Sequence, residues 1–176
     1  MSFEHVMIDL ETLGKTALAP VVEIGLVEFN LKGEIGAKYH ALVEPNFKYS
    51  KPCFETIQWW MSQRDEVRAK VFQKDFRITY HKMLNDIQDF FVYRKESSIW
   101  CHATFDAPII ENLFKSYGHS NMPWKYNAVK DIRTLTFLAP EVKTKCKGMR
   151  HTAIDDCLTQ IDYVCAMIKT INCNNN

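Results

Sequence analysis

No run of about 18 apolar residues occurs in the chain, and no basic stretch followed by an apolar core opens it. Neither a membrane span nor a signal peptide is therefore expected. Glycine and proline are scarce, six of each in 176 residues, and they nowhere cluster with serine into a linker. With no internal repeat either, one domain over residues 1–171 is expected, followed by a frayed low-complexity tail, "NCNNN", at 172–176. An excess of charge is also missing, since 22 basic against 21 acidic side chains leave a net +1. That argues against non-specific coating of nucleic acid, but not against an enzyme with a local cleft. The six cysteines (Cys53, Cys101, Cys146, Cys157, Cys165 and Cys173) form no CxxC pair. They read as reduced cytosolic thiols, mostly small core hydrophobes, with neither a zinc site nor a disulfide framework.

What is present is a globular composition, 47% hydrophobic and 12% aromatic. "HVMIDLET" reads as a first strand, "VVEIGLVEF" as a second and "AKYHALVEP" as a third, with "NLKGE" turning the last two into an antiparallel pair. Helical periodicity follows in "ETIQWWMSQ", "RDEVRAKVF" and "ITYHKMLNDIQDFFVYRK". "SSIWCHAT" returns to a strand, and "APIIENLFKSYG" is a helix with Pro108 near its start and Gly118 at its end. "KYNAVKDI" holds a last short strand, "RTLTFLA" a short helix, and "TAIDDCLTQIDYVCAMIK" a clear closing helix. The expected fold is α/β, a mixed sheet of about five strands with helices on both faces.

Three places set acids among apolar residues. Asp9 and Glu11 lie two apart in the first strand, so both point to one face, where like charges repel unless something positive lies between them. Asp106 precedes a helix with Pro108 in its first turn and has a plainer reading as an N-cap. Asp155 follows Thr152 by three, a capping-box spacing that makes it structural. Asp156 instead shares its helical stripe with Ala153, Gln160 and Met167, at the margin of the apolar face, from where a carboxylate reaches strand acids. His151 stands in the loop just before. Convergent carboxylates suit hard cations such as Mg²⁺ or Mn²⁺, and two such ions about 3.5–4 Å apart serve phosphodiester hydrolysis. A nearby histidine, neutral at mildly alkaline pH, can take a proton from water.

With these residues in place, the sequence resembles the DEDDh, DnaQ-like 3′-5′ exonucleases of the ribonuclease H-like fold. The D-x-E-T motif is Asp9–Thr12, the second motif ends in Phe105-Asp106, and the H-x-x-x-x-D motif is His151 with Asp156. "ETIQWWMSQRDEVR" looks like the T-x-x-W-W segment of short phage and bacterial members related to the phage DexA exodeoxyribonuclease and to a mycobacterial exoribonuclease. "KDIRTL" resembles them too. The resemblance implies Asp9, Glu11, Asp106 and Asp156 as ligands of two divalent cations and His151 as general base. It also implies Thr12 and Leu13 at the 3′-terminal nucleotide and a location in phage-encoded or bacterial cytosol. His102 stands where relatives often carry Asn and offers a rival base.

Trp59 and Trp60 point about 100° apart on a helix and cannot both be core, so either one is buried and the other half-exposed, or an exposed ring stacks on a base. With Phe105 they complete the candidate substrate contacts. Lys143, Lys145, Lys147 and Arg150 make either a solvated loop or phosphate contacts beside His151. Arg133 and Thr134 read as capping and packing the short helix. The expected activity is metal-dependent 3′-5′ hydrolysis of single-stranded or 3′-overhanging nucleic acid, DNA favoured, releasing 5′-mononucleotides. An exoribonuclease of the same fold, a ribonuclease H-type endonuclease, a catalytically silent nucleic-acid-binding module and an interaction protein on the same scaffold are the alternatives. Monomer and homodimer stay open.

Overall fold

The computed structural model describes residues 3–174. Strand β1 (His5–Thr12) lies at the centre of a five-stranded sheet, flanked by β2 (Val21–Phe29) on one side and β4 (Ser98–Cys101) on the other. The β3 strand (Ile35–Leu42) and β5 (Val129–Asp131) form the edges, in the order β3-β2-β1-β4-β5. β1–β2 and β2–β3 pair antiparallel, while β1–β4 and β4–β5 pair parallel. The sheet is thus mixed, as the alternation of elements requires. Asn30 Oδ1 accepts the Lys32 and Glu34 amides, and Gly33 adopts φ +84°, which closes the β2–β3 hairpin.

Alternation along β1 divides the core. Val6, Ile8 and Leu10 face one layer with α3 (Tyr80–Phe91) and α4 (Asp106–Ser116). Met7, on the opposite face with Val27, Phe29 and Trp100, packs on Cys157, Ile161, Val164 and Met167 of α6 (Ala153–Asn174). Continuing that alternation, Asp9 and Glu11 emerge on the α6 face. The short helices α1 (Phe54–Met61), α2 (Asp65–Val71) and α5 (Ile132–Leu138) complete the chain. Among the described residues no helix is long and apolar enough to cross a membrane.

Two helices differ most from their expected lengths. α3 covers twelve residues rather than the eighteen of its amphipathic pattern. At its start Ile78 is drawn into a bridge with Val43, and Thr79 caps the helix by accepting the Lys82 amide. At its end Arg94 leaves the helix to pair with Glu28. α6 runs on through Asn174, so residues 172–174 of the expected tail are helical, and 175–176 lie outside the described residues.

Candidate active site

β1 carries its acids to the end of the central strand, where a register shift between Glu11 and Thr12 interrupts the ladder with β2. Such irregularities re-aim side chains beside functional sites. β4 runs parallel alongside and ends at Cys101. The following turn brings Asp106, the first residue of α4, back under β1. Its Oδ2 accepts the His102 amide at 2.8 Å, and it is 1% exposed. The cap position itself belongs to Phe105, which makes no side-chain cap. Asp106 therefore corrects the N-cap reading, because its carboxylate folds back over the turn instead of onto the helix amides.

From the other face α6 delivers Asp156. Its Oδ2 accepts the His151 amide at 2.9 Å, which pins His151 at φ +63°, a backbone region that non-glycine residues seldom occupy. Ligand atoms of Glu11, His151 and Asp156 all lie within 4.8 Å of one another. Asp9 sits deeper, with Gln160 Nε2 donating to its Oδ1 at 2.7 Å. Gln160 escaped the sequence reading as a site residue, although its place one turn beyond Asp156 on the same stripe was the available signal.

Burial raises the proton affinity of all four carboxylates, and other members of the set add to it at Asp9 and Glu11. Burial, then the charges of Asp106, Glu11 and Asp156, hold Asp9 well above the usual carboxylate range. Burial and the charge of Asp156 push Glu11 up to about 9, burial lifts Asp106 to about 7, and burial also raises Asp156. Among the described residues no lysine or arginine forms an ion pair with any of the four. A buried set of hard oxygen donors with no lysine or arginine paired to it fits divalent metal.

Asp155 points away from this cluster. Its Oδ2 accepts the Met149 amide at 2.9 Å and the Thr152 hydroxyl at 3.0 Å, and Lys70 Nζ lies at 3.4 Å. It is structural as expected, but it secures the loop before α6 rather than forming a reciprocal capping box. His102 does not join the Glu11–His151–Asp156 cluster among the described residues.

A cavity of about 300 Å³ opens beside Glu11, lined by Thr12, Lys15, Trp59, Trp60 and Phe105 among others. Trp60 is 3% exposed and donates from Nε1 to the Thr12 carbonyl at 2.8 Å, so it braces the end of β1. Trp59 is 41% exposed, and its ring meets His151 edge-on at 4.9 Å. Of the pair, only Trp59 exposes ring surface that a base could meet. Leu13 lines the neighbouring apolar groove on the other side of Trp60. Lys15, at the cavity wall directly after the D-x-E-T-L-G run, was missed from sequence.

Of the basic run, Lys147 is held by Asp162 at 2.6 Å, while Lys143, Lys145 and Arg150 are exposed. Thr134 takes part in capping α5 as expected, its amide and hydroxyl both donating to the Asp131 carboxylate. Arg133 needs correction, since it reaches across to the Thr104 hydroxyl and its charge acts on Asp106.

The sequence profile of the 3′-5′ exoribonuclease Rv2179c-like domain matches residues 4–168. The exodeoxyribonuclease of Enterobacteria phage T4 is 24% identical over 88% of this chain and 85% of its own length. E. coli exonuclease I, solved with a dA16 oligonucleotide, superposes with a TM-score of 0.66 at 17% identity over 94% of this chain. This chain spans 40% of that protein. S. pombe Pop2p, solved with Mg²⁺ and Mn²⁺, gives 0.64 at 14% identity, over 94% of this chain and 82% of its own. The likeness to the solved structures is one of fold.

Proposed function

Since the chain belongs to the Rv2179c-like 3′-5′ exoribonuclease domain family, we propose that it is a metal-dependent 3′-5′ exonuclease that releases 5′-mononucleotides from single-stranded ends. The observation that carries this reading is the convergence of Asp9 and Glu11 from β1, Asp106 from α4 and Asp156 from α6 on one another, with His151 beside Glu11 and Asp156. These four carboxylates would hold two divalent cations. When bound, Mg²⁺ or Mn²⁺ would supply positive charge to the scissile phosphate and make a water molecule more acidic.

The chain's own groups do the rest. His151 accepts the proton of the attacking water at a ring nitrogen, its backbone held by Asp156 and its ring braced by Trp59. The cavity beside Glu11 receives the 3′-terminal nucleotide, with Trp59 and Phe105 offering ring surface to the base and Lys15 a charge to its phosphate. Gln160 holds Asp9 in place by donating to its Oδ1.

DNA is the proposed polymer, on the likeness to the phage exodeoxyribonuclease across most of both chains. RNA is the second reading, favoured by the description of the matching family. The experiment is a time course on 3′- and 5′-labelled single strands, DNA and RNA in parallel, with Mg²⁺, Mn²⁺ or EDTA. A 3′ label released at once as mononucleotide, with stepwise shortening of the 5′-labelled strand only in metal, supports the exonuclease, and the faster polymer names its substrate. No shortening under any metal overturns it in favour of a silent binding module.

A further inference from the structure

Glu23 is a fifth carboxylate on the face that carries Asp9 and Glu11, and the proposed reaction gives it no role. It is 0% exposed and lies directly opposite Glu11 in the β1–β2 register. Its charge adds to the repulsion on Glu11. A buried charge set against like charges needs a compensating interaction. Glu23 has two. Its Oε1 accepts the Ala153 amide at 3.2 Å and meets His40 Nε2 at 2.7 Å, while Oε2 has no partner among the described residues. Ala153 is the first residue of the 22-residue helix α6, where unpaired amides and the helix dipole favour a carboxylate.

A second observation on the same strand concerns the same helix end. Gly25, two residues along and on the same face, lies so close that a Cβ there would come within 2.8 Å of the Ala153 carbonyl carbon and oxygen. One turn on, Cys157 Sγ lies 3.4 Å from the Gly25 carbonyl. One edge of α6 is thus seated on β2 by a carboxylate at residue 23 and an absent side chain at residue 25. The segment so seated carries Asp156 and, just before it, His151.

We propose that Glu23 is a positioning residue, which seats the amino end of α6 through the Ala153 amide and so sets His151 and Asp156 against Glu11. Gly25 is the complementary gap that lets the helix approach. Glu23 acts through the helix end that it holds, and what it contributes is an acceptor at one point rather than a charge. This inference rests on the exonuclease reading, but one of its readouts does not depend on strand cleavage.

The test compares E23A, E23Q and H40A with the parent protein. Amide hydrogen exchange is followed by NMR in EDTA, Mn²⁺ binding by electron paramagnetic resonance, and kcat and KM on a labelled oligonucleotide. E23A is expected to speed exchange at Ala153 at least tenfold while core amides of β1 keep their protection. It should weaken Mn²⁺ binding and lower kcat about 10–100-fold with KM within twofold, as misplacement of a catalytic group by about 1 Å does. E23Q keeps an oxygen for Ala153 and should recover exchange protection and kcat to within about threefold. H40A, which leaves the Ala153 contact in place, should match the parent.

An E23A protein with fast Ala153 exchange but parental kcat and Mn²⁺ affinity overturns the proposal. So does E23Q with Ala153 protected and kcat more than tenfold down, since charge and not position would then be at work. If E23A does not fold, E23Q alone decides by that second criterion. If no variant and no parent cuts any strand, the exonuclease reading fails, while exchange and Mn²⁺ binding still show whether Glu23 seats the helix.

Discussion

Asp155 and Asp156 are adjacent and chemically identical, yet the structure gives them opposite work. Asp156 meets Glu11 at the end of the central strand, while Asp155 is bound to Met149, Thr152 and Lys70. Asp156→Ala and Asp9→Ala are therefore expected to lower activity by more than about a hundredfold, beyond the loss typical of groups that only support metal ligands. Asp155→Ala should cost about 1–2 kcal/mol of stability and leave most activity, because it removes loop bonds and no ligand. Activity assays alongside urea unfolding separate the two, and equal loss of activity in both would reverse the assignment. His151→Gln is expected to slow hydrolysis about 10²–10⁴-fold while Mn²⁺ affinity, measured by titration calorimetry, changes only a few-fold, since four carboxylates remain.

Helix α1 shows how one element serves the site through two adjacent side chains. Trp60 turns inward and donates to the Thr12 carbonyl, and Trp59 turns outward to the cavity and His151. Trp60→Phe leaves a buried carbonyl at the end of β1 unpaired and should cost about 1–3 kcal/mol, read as a lower unfolding midpoint. Trp59→Ala should leave that midpoint nearly unchanged and raise KM about tenfold or more by removing a stacking surface. A fall in kcat at constant KM would show instead that Trp59 acts through His151. The sequence reading held that the two rings could not both be core, because adjacent helical residues diverge by about 100°, but it kept both as candidate substrate contacts. It did not reach the contact with His151, which depends on where α1 lies relative to the loop before α6.

At the scale of the whole molecule a nearly neutral protein concentrates four mutually repelling carboxylates at the end of its central strand. Their folded-state proton affinities are raised, to about 9 for Glu11 and about 7 for Asp106, above those of an unfolded chain. The stability linked to them is therefore fully present below about pH 4 and is lost as pH rises through 7 towards 9. In EDTA the melting temperature should fall across that window, and saturating Mg²⁺ or Mn²⁺ should restore it most at the alkaline end, where metal meets no competing proton. Calorimetry from pH 5 to 9 checks this, and a flat metal-free profile would contradict it. Part of the candidate site's arrangement was legible in the chain because it rests on local rules: period-two alternation placed Asp9 and Glu11 on one face, and helical period separated Asp156 from Asp155, whereas for Asp106 the local rules favoured a cap. Glu23, Gln160 and Arg133 were not legible, since their partners Ala153, Asp9 and Thr104 lie far off in sequence, as the separation of 151 residues between Gln160 and Asp9 shows. By itself, then, the sequence determined which residue types stand on which strand and helix faces, because those periodicities act within a few residues. Only the tertiary structure decided which of them meet, because the parallel pairing of β4 with β1 and the seating of α6 on β2 bring together groups that no local rule connects.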